Sequence, residues 1–133
     1  MEYLLIEKEK NYVMKLIKTC LVIVIIAIAF LSLKPIDVEI ELYVNDKIGH
    51  ALAYCVLTFL GGLLVEKRKL FIVALAAFVY SALLEYLQGF VPGRMVDWRD
   101  LIANASGVII GVILLFILKE AILNILKRLK LIG

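Results

Sequence analysis

The sequence predicts an all-α protein, a bundle of four helices that cross a membrane. The first observation is composition, because 64% of the 133 residues are hydrophobic and the mean hydropathy is +1.02. A soluble domain is closer to half apolar, and a chain of this length leaves much of its surface exposed. The second observation is that the apolar residues form four separate runs. Lipid accepts such a surface, so the sequence predicts an integral membrane protein.

The four apolar runs cover residues 16–33, 48–65, 70–87 and 101–118. Each is close to the roughly 20 residues that a helix needs to cross the hydrocarbon core at about 1.5 Å per residue. The first run lacks a small-residue cleavage site, which favours a retained anchor over a cleaved signal peptide. Residues 36–42 alternate strictly between apolar and acidic residues, and we interpret them as an extended loop because a lone strand is not stable.

The basic residues predict the orientation of the bundle. Four of them, Lys34, Lys47, Arg94 and Arg99, lie on the side of the two longer connections. The other side has eleven: Lys8, Lys10, Lys15, Lys18, Lys67, Arg68, Lys69, Lys119, Lys127, Arg128 and Lys130. Because cytoplasmic segments carry the excess of Lys and Arg, both termini are predicted to be cytoplasmic.

The chain reads as one membrane domain, residues 1–133, that ends in a basic amphipathic tail, residues 119–133. The tail places Ile122, Ile125, Leu126 and Leu129 at helical spacing. Two interpretations stay open: a helix on the inner membrane surface, attracted to anionic lipids, or a continuation of the fourth helix. The net charge of +3 is too small to indicate a nucleic-acid partner.

Polar side chains from three separate stretches are predicted to meet at the outer membrane face. Asp46, His50 and Tyr54 lie four residues apart at the start of the second helix, so they share one face. Ser81, Glu85 and Gln88 share a face at the outer end of the third helix. The loop that follows and the first turns of the fourth helix add Arg94, Asp97, Asp100 and Asn104.

A polar clamp between helices is the simpler interpretation of this convergence. In it Asp46 orients His50, and Arg94 neutralises Glu85 or Asp97. A clamp, however, needs only one or two pairs of polar side chains. Each additional charged group at mid-membrane costs about 2.5–3.5 kcal/mol on insertion scales. The number of polar groups therefore favours a functional site.

Small residues on the fourth helix indicate close helix packing. Gly107 and Gly111 lie four residues apart, a spacing that lets another helix approach closely. We expect intramolecular packing here, or a homodimer through the same two glycines.

Taken together, these motifs resemble the VanZ-like family of membrane proteins. The resemblance covers about residues 44–118: Asp46-Lys47-Ile48-Gly49-His50 with Tyr54, Glu85-Tyr86-Leu87-Gln88, Pro92-Gly93-Arg94, then Asp97, Asp100, Asn104, Gly107 and Gly111. The resemblance implies a multi-pass protein in the cytoplasmic membrane of a bacterium, and it suggests a link to reduced susceptibility to the glycopeptide teicoplanin. It carries no catalytic assignments, so the site residues follow from chemistry and position.

Two classes of function are compatible with these residues. In the first, an outward polar pocket binds a lipid-linked cell-wall component or another anionic ligand, or changes how a glycopeptide reaches its target. Arg94 and Arg99 meet the anion, because a guanidinium matches phosphate or carboxylate. Hydrogen bonds come from His50, Asn104 and Gln88. The ligand-binding candidates are Asp46, His50, Tyr54, Glu85, Gln88, Arg94, Asp97, Asp100 and Asn104.

In the second class, the chain is a small intramembrane hydrolase or transferase that acts on a lipid-linked phosphate. The candidate catalytic residues are His50, Glu85 and Asp100, with His50 or Glu85 as general base. The sequence assigns no cofactor, but an oxygen-rich set with one imidazole suits Mg²⁺ or Mn²⁺. The candidate ligands of such a metal are Asp46, His50, Glu85, Asp97 and Asp100.

Overall fold

The computed structural model describes residues 2–35 and 43–129, and the regular secondary structure of these residues is helical. The helices are α1 (Glu2–Leu33), α2 (Tyr43–Leu63), α3 (Leu70–Gln88) and α4 (Trp98–Arg128), with a 3₁₀ turn, Lys67–Lys69, between α2 and α3. The prediction of an all-α protein with four helices is confirmed. The expected extended segment, residues 36–42, lies outside the described residues.

Two helices extend more than ten residues beyond the length of the apolar runs that predicted them. α1 has 32 residues and α4 has 31. α4 runs from the last polar loop to Arg128 without a break, so the described part of the basic tail continues the fourth helix. Of the two alternatives for the tail, the continuation is the one observed.

Three stretches in the described residues are long and apolar enough to cross a membrane: Tyr12–Leu33, Lys67–Gln88 and Trp98–Arg128. α2 is not among them, since Asp46, Lys47 and His50 lie in its first turns. The long apolar helices also leave large hydrophobic side chains on the surface. Such a surface is compatible with lipid and unfavourable in water. Examples are Val22, Ile26, Phe30, Phe71, Leu75, Val79, Ile109, Ile113, Phe116 and Ile117.

α2 packs along α4 at backbone-to-backbone distance. A Cβ placed on Gly107 would overlap the carbonyl of Ala51, and one on Gly111 would lie 2.8 Å from the carbonyl oxygen of Cys55. Only glycine lets the two helices come this close. Gly107 and Gly111 therefore serve the intramolecular contact, while the homodimer stays a prediction.

α1 lies against α2 and α3. Its Ile28 joins a buried core with Tyr54 and Leu57 of α2 and Leu84 of α3. The hydroxyl of Tyr80 donates a hydrogen bond to the carbonyl oxygen of Ile25 at 2.7 Å.

The two ends of the bundle differ in charge. One end, which we call the basic end, contains the turn Lys67–Lys69, the C-terminus of α2 and Lys119 of α4. Lys119 is only 5% exposed, and its ammonium donates to the carbonyl oxygens of Gly62, at 2.7 Å, and of Val65. The opposite end is formed by the start of α2, the end of α3 and the start of α4. That end carries the predicted site.

Candidate functional site

Side chains from α2, α3 and the start of α4 meet at this opposite end and form a hydrogen-bonded group, which we call the polar cluster. The spacing of four residues between Asp46 and His50 puts both on the face of α2 that turns toward α4. The predicted convergence is therefore present in the bundle. The polar cluster consists of Asp46, Lys47, His50, Ser81, Glu85, Asp97, Asp100 and Asn104.

His50 is oriented by Asn104. The two groups are 3.0 Å apart, from Nδ1 of His50 to Oδ1 of Asn104. The amide of Asn104 is fixed in turn because its Nδ2 donates to Oγ of Ser81 at 2.8 Å. Since Oδ1 of Asn104 can only accept, this contact is a hydrogen bond in the tautomer of His50 with the hydrogen on Nδ1. The expected orienting partner, Asp46, is 3.8 Å from Nε2, which is beyond hydrogen-bond distance.

Lys47 is the cation that pairs with the aspartates. Its Nζ lies 2.8 Å from Oδ2 of Asp97 and also contacts Oδ1 of Asp100. Asp97 caps α4, because its Oδ1 accepts from the backbone N–H of Arg99 at 2.9 Å. Its own N–H donates to Oε1 of Glu85 at 2.6 Å, which ties the start of α4 to the end of α3. The expected pairing of Arg94 with Glu85 or Asp97 is wrong, since Lys47 occupies Asp97.

Arg94 instead holds the end of α1. It donates from Nη2 to the carbonyl oxygen of Leu31 at 2.6 Å and from Nε to that of Lys34 at 3.2 Å. Carbonyls at a helix C-terminus lack intrahelical partners and carry partial negative charge, so a guanidinium stabilises them. The turn before Arg94 depends on Gly93, whose φ of 78° favours glycine.

Gln88 also holds α1, since its Nε2 donates to the carbonyl oxygen of Ser32 at 3.0 Å. Gln88 and Arg94, both predicted as ligand-binding residues, thus already have backbone partners on one helix. They fix α1 beside the polar cluster.

A cavity of about 360 Å³ lies between α1, α2 and the Arg94 loop. Asp46, His50 and Arg94 give it a polar part. Its other lining residues are mainly apolar or small: Ile28, Leu31, Ser32, Gly49, Ala53 and Tyr54. Four of the predicted site residues line the cavity: Asp46, His50, Tyr54 and Arg94. The other five lie behind it, at the end of α3 and the start of α4: Glu85, Gln88, Asp97, Asp100 and Asn104.

Three of the five candidate metal ligands lie close together. One ligand atom from each of Asp46, His50 and Asp100 falls within 4.8 Å of the other two. Glu85 and Asp97 are directed elsewhere, to the N-terminus of α4 and to Lys47. The arrangement can hold a cation, or it can move a proton at Nε2 of His50.

Two members of the polar cluster, Lys47 and Ser81, were not among the predicted site residues. The signal for Lys47 was its position three residues before His50, which puts it on the same side of α2. For Ser81 it was the position one helical turn before Glu85. Short polar side chains in an apolar helix indicate a buried partner, and Ser81 is 1% exposed.

A helical protein with lipid-compatible surfaces and one polar end is a membrane protein, and the comparison with known families identifies which kind. The model of the family described as VanZ/LLP1 matches residues 7–119. The chain therefore belongs to the VanZ-like family, and the match extends the resemblance found in residues 44–118 to include α1. No curated protein and no solved structure matches the chain.

Proposed function

We propose that this chain is a multi-pass protein of the bacterial cytoplasmic membrane that binds a lipid-linked anionic component of the cell envelope. The cavity beside α1 carries the proposal. It combines Arg94, His50 and Asp46 with an apolar wall that includes Ile28 and Leu31. A ligand that is polar at one end and hydrocarbon at the other matches such a lining.

The polar part of the cavity suits an anionic headgroup through Arg94. A guanidinium matches phosphate or carboxylate, and a hydrogen bond to a charged group is about twice as strong as one between neutral groups. Nε2 of His50, which carries no hydrogen when Nδ1 faces Asn104, can accept a hydrogen bond from a hydroxyl of the headgroup or of a protonated phosphate on the same wall.

An apolar groove supports the hydrocarbon part of the proposal. The groove has a volume of about 430 Å³ and lies between α1, α2 and α3, with Leu21 and Ile25 of α1 in its lining. Ile28 and Leu31 line the polar cavity. These four residues are spaced three or four apart, so both cavities follow one stripe of α1. At about 1.5 Å per residue the stripe extends about 15 Å, enough for a hydrocarbon chain.

The orientation is part of the same proposal: both termini are cytoplasmic and the polar cluster faces outward. The excess of Lys and Arg in the terminal segments and in the turn Lys67–Lys69 supports it. An outward site meets envelope components, and through such a component the protein would lower susceptibility to teicoplanin. Deletion and re-expression of the gene, with the inhibitory concentration of teicoplanin as readout, tests that link.

The direct test measures binding of polyprenyl phosphate to the purified chain in nanodiscs, in a buffer that contains EDTA. Polyprenol without the phosphate and inorganic phosphate alone serve as comparison ligands. We expect polyprenyl phosphate to bind best, and Arg94→Gln to weaken its binding at least tenfold. Arg99→Gln is the matched control. Arg99 was also expected to meet the anion, but it does not line the cavity: it is exposed, with its guanidinium 5.8 Å from the centre of the Trp98 ring. Equal binding of all three ligands, or unchanged binding by Arg94→Gln, would remove the proposal.

An enzymatic function is the second candidate, and the orientation of His50 favours it. With the hydrogen on Nδ1, Nε2 is the basic nitrogen, and the imidazole lies in the cavity wall. The reaction would be hydrolysis or transfer at a lipid-linked phosphate. Release of phosphate that stops both with a chelator and in His50→Ala would support an enzyme; a chain that releases none in any divalent metal would exclude it.

A further inference from the structure

We propose that Asp46, His50 and Asp100 form a site for a divalent cation at the wall of the cavity. The geometry comes first. Nε2 of His50 lies 3.8 Å from Oδ1 of Asp46 and 3.9 Å from Oδ2 of Asp100. These gaps are too long for hydrogen bonds. Two metal–ligand bonds of about 2.1 Å place their outer atoms about 3–4 Å apart, which both gaps match, and the three ligand atoms all lie within 4.8 Å of one another.

The imidazole is oriented as a metal ligand requires. A ligating histidine directs its unprotonated nitrogen to the metal and donates its other N–H to a second group. His50 has this arrangement: Nδ1 faces Oδ1 of Asn104, and Nε2 faces the two carboxylates. The bond between Asn104 and Ser81 fixes the amide, so the orientation does not depend on the cation.

The charges of the polar cluster favour a cation. Among the described residues of the polar cluster, the four carboxylates of Asp46, Glu85, Asp97 and Asp100 stand with the ammonium of Lys47. Lys47 contacts Oδ1 of Asp100, whereas Oδ2 is the oxygen on the His50 side. The side chain of Asp46 is 52% exposed, which gives a cation a path from water to a site whose other two side chains are 14% and 11% exposed.

The donor set indicates the kind of cation. Two carboxylates and one imidazole, with space for water, suit Mn²⁺ or Mg²⁺ better than a metal that prefers sulfur. The cation site is argued from the residues of the polar cluster. Its role in ligand binding rests on the proposed function, which it deepens. A cation beside Arg94 gives an anionic headgroup a second positive contact.

The test uses the fact that His50 is the only histidine of the chain. The full chain, labelled with ¹⁵N-histidine and placed in nanodiscs of uncharged lipid, is titrated with Mn²⁺ alone. We expect the Nε2 signal to broaden at Mn²⁺ concentrations well below about 1 mM, and Mg²⁺ to reverse the broadening. Asp46→Asn should raise the required Mn²⁺ concentration at least tenfold. Its half-exposed side chain makes it the variant least harmful to folding.

Glu120→Gln is the matched control, because it removes one carboxylate at the basic end, where Glu120 pairs with Lys67. In Glu120→Gln the Nε2 signal of His50 should broaden at the same Mn²⁺ concentration as in the wild type. Asn104→Ala, which frees the imidazole, should also weaken Mn²⁺ binding about 10–100-fold. Broadening that is absent below millimolar Mn²⁺, or that is equal in wild type and Asp46→Asn, overturns the site. The binding of polyprenyl phosphate in EDTA would then still decide the proposed function on its own.

Discussion

The bundle places a basic side chain against helix-terminal carbonyls at each of its two ends. At the basic end the ammonium of Lys119 reaches the carbonyl of Gly62, in the last turn of α2, and that of Val65, just after the helix. At the end with the polar cluster the guanidinium of Arg94 reaches the carbonyls of Leu31 and Lys34 at the end of α1. Both contacts satisfy backbone groups that a helix leaves unpaired.

The two ends differ in what surrounds the basic side chain. Lys119 is buried, and backbone carbonyls are its acceptors, which is sufficient for a structural role. Arg94 lines a cavity together with Asp46 and His50, and the carboxylates behind them exceed the single ammonium of Lys47. A buried charge alone therefore does not indicate a site. The combination of a cavity, an oriented imidazole and surplus carboxylates distinguishes the polar cluster.

The largest expected loss of stability comes from disrupting the packing of α2 against α4, which runs between the two ends of the bundle. Gly111→Leu places a side chain where even a Cβ lies 2.8 Å from the carbonyl oxygen of Cys55. Because the obstacle is backbone, we expect a loss of about 3 kcal/mol in unfolding free energy, at the upper end for overpacking. Thermal unfolding in detergent, followed by circular dichroism, measures it. Gly49→Ala is the control, since nothing lies within 4 Å of its Cβ, and an equal loss there would contradict the close packing.

Lys119→Met tests the basic end. The change keeps much of the length of the side chain but leaves the carbonyls of Gly62 and Val65 without their donor. We expect a loss of about 2 kcal/mol in unfolding free energy, as for other hydrogen bonds to charged groups. Lys127→Met, an exposed position on the same helix, should change stability by less than about 0.5 kcal/mol. Equal stability of the two variants would show that Lys119 is not structural.

Asn104→Ala gives the smallest expected change in stability and sharpens the account of the polar cluster. It removes the acceptor of His50 and the donor to Ser81. We expect a loss of about 1 kcal/mol and a shift of the imidazole from the Nδ1–H form to a mixture of tautomers, visible in ¹⁵N spectra. Ser106→Ala is the control, because that hydroxyl is exposed and donates only within its own helix. A wild-type spectrum with the hydrogen on Nε2 would contradict the assigned orientation.

Much of the fold and the position of the site follow from the sequence. Helical spacing puts Asp46 and His50 on one face, and the order of the apolar runs brings the ends of α2, α3 and α4 together. The sequence does not specify which cation meets which carboxylate. That choice depends on the path of the loop at Gly93, which turns Arg94 toward α1 and leaves Asp97 to Lys47. Local spacing carries no information on such a path.

The burial of Lys119 is predicted by its position on the helix, although its charge and its neighbours suggest an exposed residue. Lys119 follows an apolar run and precedes other basic residues, so it resembles an exposed flank. It also lies four residues after Leu115, which lies four after Gly111, and all three are buried on the face of α4 toward α2. Helical position, extended from the glycines, predicts its burial better than its charge does.

The most direct test of the contrast between the ends measures stability and ligand binding together in His50→Gln and Lys119→Met. His50→Gln should unfold within about 1 kcal/mol of the wild type and bind polyprenyl phosphate at least tenfold more weakly. Lys119→Met should lose about 2 kcal/mol of stability and bind the lipid as the wild type does at a temperature where it is folded. If His50→Gln binds normally, or if Lys119→Met loses binding while folded, the polar cluster is not the site that sets this protein's function.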